Sequence, residues 1–127
     1  MKLFTWLATI QGAYYLLTGI WPLIDIDSFM VVTGPKLDQW LVKMVGALVI
    51  PVGLVLLLAA YRKEPLVQTM VLALTSAIAF TSIDTYYSLK DRIWDVYLLD
   101  AAAQVIFIAG WVVFMLSKRN QKGKEYV

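Results

Sequence analysis

The chain has 127 residues, 61% of them hydrophobic and 16% charged, with a mean hydropathy of +0.72 and a net charge of +2. Soluble domains carry about a quarter charged residues, so the composition excludes an ordinary soluble domain and predicts one integral membrane domain over residues 1–127. With no cysteine and no histidine, disulfides, thiolate chemistry and the commonest general base and metal ligand are excluded.

Four apolar spans follow one another, each near the ~20 residues a membrane helix needs. The first covers about 3–23. A signal peptide is the rival reading because Lys2 precedes an apolar run, but the run holds Gln11 and paired tyrosines and has no small-x-small cleavage site. Ala8, Gly12, Tyr15 and Gly19 share one face of it, with Gln11 and Thr18 alongside. The connection from Ile24 to Gln39 holds Asp25, Asp27, Asp38 and Thr33-Gly34-Pro35, which predicts a turn at Gly34-Pro35.

The second span covers about 37–61. It lines up Lys43, Gly46, Ala47, Ile50 and Gly53, with a kink expected at Pro51. Arg62-Lys63-Glu64-Pro65 ends it. The third covers about 66–87 and lines up Ala73, Ser76, Ala77, Phe80, Asp84 and Tyr87. The fourth covers about 93–116, followed by a basic tail over 117–127 that is expected to fray beyond Asn120. Short connections make neighbouring helices antiparallel. The expected fold is therefore all-α: a membrane four-helix bundle, up-down-up-down. Small residues let helices approach closely in lipid, so the bundle should be tight in its inner half and wider at its outer end. Trp6, Trp21, Trp40 and Trp94 fall near span ends, where tryptophans anchor at the interface.

Charge sets the expected orientation. With a cytoplasmic N-terminus, the inner side carries seven basic residues and the outer side four, which fits the positive-inside rule. All seven aspartates fall in the outer half and both glutamates in the inner half, which leaves the outer half at −3 and the inner at +5. The expected location is the inner (plasma) membrane, multi-pass, with both termini cytoplasmic.

The fourth span holds the candidate site. Tyr97, Asp100, Gln104, Phe107 and Trp111 recur at helical spacing on one face. Ionisable residues at membrane depth usually face a partner or a cavity. At ~1.5 Å of rise per residue, Lys43 and Asp100 lie about 9 and 10 Å below the outer surface, with Asp84 slightly shallower. Pairing of Lys43 with Asp84, Asp100 or both is expected, and Gln11 and Gln104 near the midplane are placed for a cross-helix hydrogen bond. The candidate ligand-binding set is Lys43, Asp84, Asp100, Gln104, Tyr87, Tyr97 and Gln11. Such residues can equally serve to fix helix register.

The segments TGPKLDQWLVKMVG, SIDTYYSLKDRI and YLLDAAAQ resemble those of small four-helix membrane proteins of bacteria, over a chain of similar length and layout. That resemblance implies fold and location but no activity. More distantly, the layout resembles DoxX-like proteins and EXPERA-type sterol-binding and isomerase bundles. Enzymes of that type are longer and use acidic, histidine and tryptophan residues in an internal cavity; this chain lacks the histidine. The second likeness implies a lipid or small apolar cation as ligand.

The expected function is binding of a small amphipathic or cationic molecule in an acidic-aromatic pocket open to the extracytoplasmic side. The alternative is a structural or accessory subunit whose polar core only specifies packing. No second catalytic group accompanies Asp100, so an enzyme is disfavoured. No cofactor, metal or nucleic acid is expected; the lipid bilayer is the expected partner, and a homo-oligomer is left open.

Overall fold

The structure, a computed structural model, describes residues 2–90 and 93–125, with side chains through Arg119. Asp91 and Arg92, counted above among the outer charges, and Tyr126 and Val127 of the tail lie outside the described residues. Among the described residues every regular element is an α-helix: α1 (Lys2–Ile24), α2 (Ile26–Thr33), α3 (Gln39–Arg62), α4 (Val67–Leu89) and α5 (Val96–Glu125). α3, α4 and α5 are long and apolar enough to cross a membrane, and α1 with α2 makes a fourth span if the bent pair counts as one.

Two of these elements differ from the expectation. The connection after the first span contains a helix, α2, that leaves α1 at an angle of 115°. Its start is local chemistry: the Asp25 side chain accepts from the Ser28 backbone N–H at 3.2 Å, an N-cap that satisfies one of the free donors of a helix start. Trp21 then donates through Nε1 to Ser28 Oγ at 2.8 Å, and its ring meets Phe29 edge-on at 5.3 Å. These contacts hold α2 folded back against α1. It ends at Gly34, whose φ of +103° suits glycine. A side chain there would also collide, since a Cβ would lie 2.9 Å from the Trp94 ring. The second difference is the tail, where α5 continues helically to Glu125. Lys, Arg, Gln and Glu are good helix formers, and cations near a helix C-terminus complement its dipole.

The long helices associate as two close pairs, α1 with α3 and α4 with α5. Antiparallel α1 and α3 meet backbone to backbone at two glycine pairs one heptad apart. A Cβ on Gly19 or on Gly46 would lie 2.6 Å from the other's carbonyl oxygen; one on Gly12 would lie 2.9 Å from Gly53 O, and one on Gly53 2.8 Å from Gly12 O. The two pairs close on each other around a core of Phe4, Ala8, Leu56, Met70, Ala73 and Trp111. Phe4 meets Trp111 edge-on at 5.7 Å. This packed half lies at the α3–α4 turn.

Around this apolar core the outer surface is also largely apolar, and several polar side chains lie inside. Leu17, Leu48, Val67, Leu99 and Ile106 point outward, while Gln11, Gln104 and Asp84 are buried. Large contiguous apolar surfaces mark membrane or partner contact. The long helices carry that surface along their length.

Candidate functional site

The end of the structure opposite the packed half holds a cavity of about 630 Å³. All five helices contribute to it. Tyr14, Tyr15 and Trp21 come from α1, Phe29 and Thr33 from α2, Val45 from α3, Phe80 and Asp84 from α4, and Tyr97, Asp100 and Gln104 from α5. α2 supplies part of the cavity wall. Beyond it, Lys36 Nζ donates to the carbonyls of Thr33 and Gly34 at 3.0 and 3.1 Å and sits 5.0 Å from the centre of the Tyr97 ring.

A hydrogen-bond chain runs from the packed half into this cavity. Trp111 Nε1 donates to Gln11 Oε1 at 2.6 Å. Gln11 Nε2 donates to Ala73 O at 3.0 Å and to Tyr15 Oη at 3.1 Å. Tyr15 in turn donates to Gln104 Oε1 at 2.7 Å, and Gln104 Nε2 donates to Asp100 Oδ1 at 3.3 Å. Tyr14 donates its hydroxyl to the same Asp100 oxygen.

The direction of this chain is fixed by its chemistry. An indole N–H can only donate and a backbone carbonyl can only accept. Trp111 therefore requires the oxygen of Gln11, and Ala73 its nitrogen. The Tyr15 hydroxyl, accepting from Gln11, must donate onward, which turns the Gln104 amide nitrogen toward Asp100. Apart from the Gln11 branch to Ala73, the donors of the series follow one another to a single carboxylate, an order in which each bond polarises the next.

Asp84 is treated differently. Its carboxyl lines the same cavity as Asp100, and the residue is only 6% exposed. Its Oδ2 has no hydrogen-bond partner, and neither does the buried Ser88 Oγ one turn further along α4. Among the described residues no lysine or arginine pairs with either carboxyl. A buried carboxyl oxygen without a donor, in a cavity that also holds a second carboxyl, calls for a donor or a positive charge from a bound group.

Of the residues singled out from the sequence, the structure brings Asp84, Asp100, Gln104, Tyr97 and Gln11 into one connected region. Lys43 is not part of it. The residue is exposed on α3, while its neighbours Val42 and Gly46 face the cavity and α1. The expected Lys43–aspartate pair is thus not formed, and among the described residues the two carboxyls share the cavity without a basic side chain. The reason is the glycine contact: seating Gly46 on Gly19 fixes the rotation of α3 and turns Lys43 outward. Lys43→Met is accordingly expected to leave thermal stability in detergent within about 0.5 kcal/mol of the parent, as for exposed substitutions generally. A large loss would restore the ion pair.

Tyr87 is likewise exposed, with its ring against Tyr86 at 5.1 Å, and does not line the cavity. Gln11 and Gln104 do not bond directly, because the Tyr15 hydroxyl stands between them. Tyr14 was missed as a site residue. The doublet Tyr14-Tyr15 was its signal, since two adjacent polar rings in a membrane helix need partners on two faces. Compared with known proteins, the chain matches no family model, no curated protein and no solved structure.

Proposed function

We propose that the protein spans the membrane as four segments with both termini cytoplasmic, and that it binds one lipophilic organic cation in the cavity at its extracytoplasmic half. The observation that carries this reading is that buried Asp84, with Oδ2 lacking any donor, shares the cavity with the half-buried carboxylate of Asp100. An ammonium group brings three donors and a positive charge. Asp100 accepts both of its bonds at Oδ1, which leaves its other oxygen for a ligand. The remaining wall suits the apolar body of such a molecule, with the rings of Tyr14, Tyr15, Phe80 and Tyr97 around the charged end. The volume falls in the range of about 300–1,000 Å³ common to small-molecule sites.

The orientation rests on the basic-residue bias and has its own test. Reporters fused after Asp27 and after Arg92 are expected to read extracytoplasmic, and one after Glu64 cytoplasmic. The reverse pattern would place the cavity on the cytoplasmic side. For the ligand class, thermal unfolding is followed with a panel of lipophilic amines and neutral analogues of the same shape. Amines are expected to raise Tm and neutral analogues to have little effect. Equal stabilisation by both would reduce the site to ordinary apolar burial.

A second reading applies to part of the network. Trp111, Gln11, Tyr15 and Gln104 are joined to one another in series by three hydrogen bonds, as residues that only join helices would be. On that reading a structural role ends at Gln104, and ligand binding begins at Asp100.

A further inference from the structure

Resting on the proposed cation site, we infer that its ligand enters sideways from the bilayer, between α3 and α4, and is a single-chain alkyl amine whose chain lies in that gap.

The route follows from where the two helices are buried. Apart from Gly46 and Gly53, which sit on α1, the buried residues of α3 are Leu56, Ala59 and Ala60, next to its turn into α4. Those at the start of α4 are Thr69, Met70 and Ala73, beside the same turn. Toward the other end α3 is held by α1, and α4 by α5. The two helices therefore leave their turn packed together and diverge, with the cavity in the opening. Its wall there is both apolar and exposed: Leu41 is 42% exposed, Val45 52% and Ile83 56%. In a membrane-spanning segment these side chains meet lipid.

At its end the cavity is walled in part by α2, which narrows entry along the helix axes. Phe29 and Thr33 of α2 line it, Trp21 ties α2 down through Ser28, and Lys36 is held on the carbonyls that end α2. An alkyl ammonium can reach Asp84 and Asp100 through the side opening with its chain in apolar surroundings throughout. The cavity has the size of a drug-like ligand, which suits one chain rather than a two-chain lipid.

The absence of cysteine allows the gap to be blocked after folding. Val45→Cys and Phe29→Cys proteins are prepared separately in phosphatidylcholine nanodiscs and modified with a bulky methanethiosulfonate. Association of dodecylammonium is then measured by stopped flow, before modification, after it, and after reductive removal. Modification at position 45 is expected to slow association by roughly tenfold, reversed by reductant, and modification at position 29 to have little effect. Because each protein is its own control, a failure to fold cannot mimic this result. Slowing at position 29 alone would overturn the lateral route while leaving the cation site standing. No effect at either position would also overturn it. No binding by the unmodified protein would overturn the cation site, and this inference with it. A concentration-dependent dimer dispersed by modification at position 45 would assign the gap to a second copy of the chain instead.

Discussion

Gly46→Leu is expected to abolish the native packing of α1 on α3. At this position even a single added carbon would lie 2.6 Å from the carbonyl oxygen of Gly19, and backbone on a packed helix cannot step aside as a side chain can. The helices must separate, which withdraws Gly12 from Gly53 one heptad away as well. Overpacking typically costs about 1–3 kcal/mol, and a branched side chain at a backbone contact belongs at or above the top of that range. Unfolding in detergent, followed by circular dichroism, should show a large fall in Tm. Gly110→Ala provides the contrast. The added carbon there would also meet a close neighbour, Leu7 Cδ2, but that atom ends a flexible side chain. A small loss is expected. Comparable losses at both positions would mean that the α1–α3 contact is not what holds the pair together.

The second large effect is expected at Trp111. Its side chain is fully buried, edge-on to Phe4 and Phe114, and it starts the hydrogen-bond chain. Trp111→Ala should cost about 3–5 kcal/mol as an aromatic truncation. Trp111→Phe keeps most of the packing but leaves Gln11 Oε1 without its donor, at a cost of about 1 kcal/mol. If the chain is cooperative, Trp111→Phe and Tyr15→Phe together should cost less than the sum of the two alone, because the second change acts on a network already broken. Strict additivity would show that the bonds act independently.

Much of this was legible in the sequence because it rests on helical spacing. Gly12 with Gly19 and Gly46 with Gly53 could be read as close-packing positions before any contact was known. Asp84, Asp100 and Gln104 could be placed near a common depth from rise per residue alone. What spacing does not fix is rotation about a helix axis. Lys43 shares its stripe with Gly46 at i+3, and a modest turn separates a residue facing the cavity from one facing out. The glycine contact decides between them, and it is a tertiary feature. Tyr15 was visible on the right face, yet its place between Gln11 and Gln104 depends on how closely three helices approach. α2 was hidden for a different reason: its eight residues are too few for a periodic signal, and Asp25 was read as a loop residue although an aspartate is also a favoured helix N-cap.

The cation-binding claim is tested most directly by calorimetric titration of dodecylammonium into the detergent-solubilised protein, its Asp84→Asn and Asp100→Asn variants, with dodecanol as the neutral control. The account predicts one saturable site in the parent, binding lost or weakened at least about tenfold in either variant while both retain helical content, and no comparable site for dodecanol. Equal affinity of the parent and the Asp84→Asn protein for dodecylammonium would contradict it.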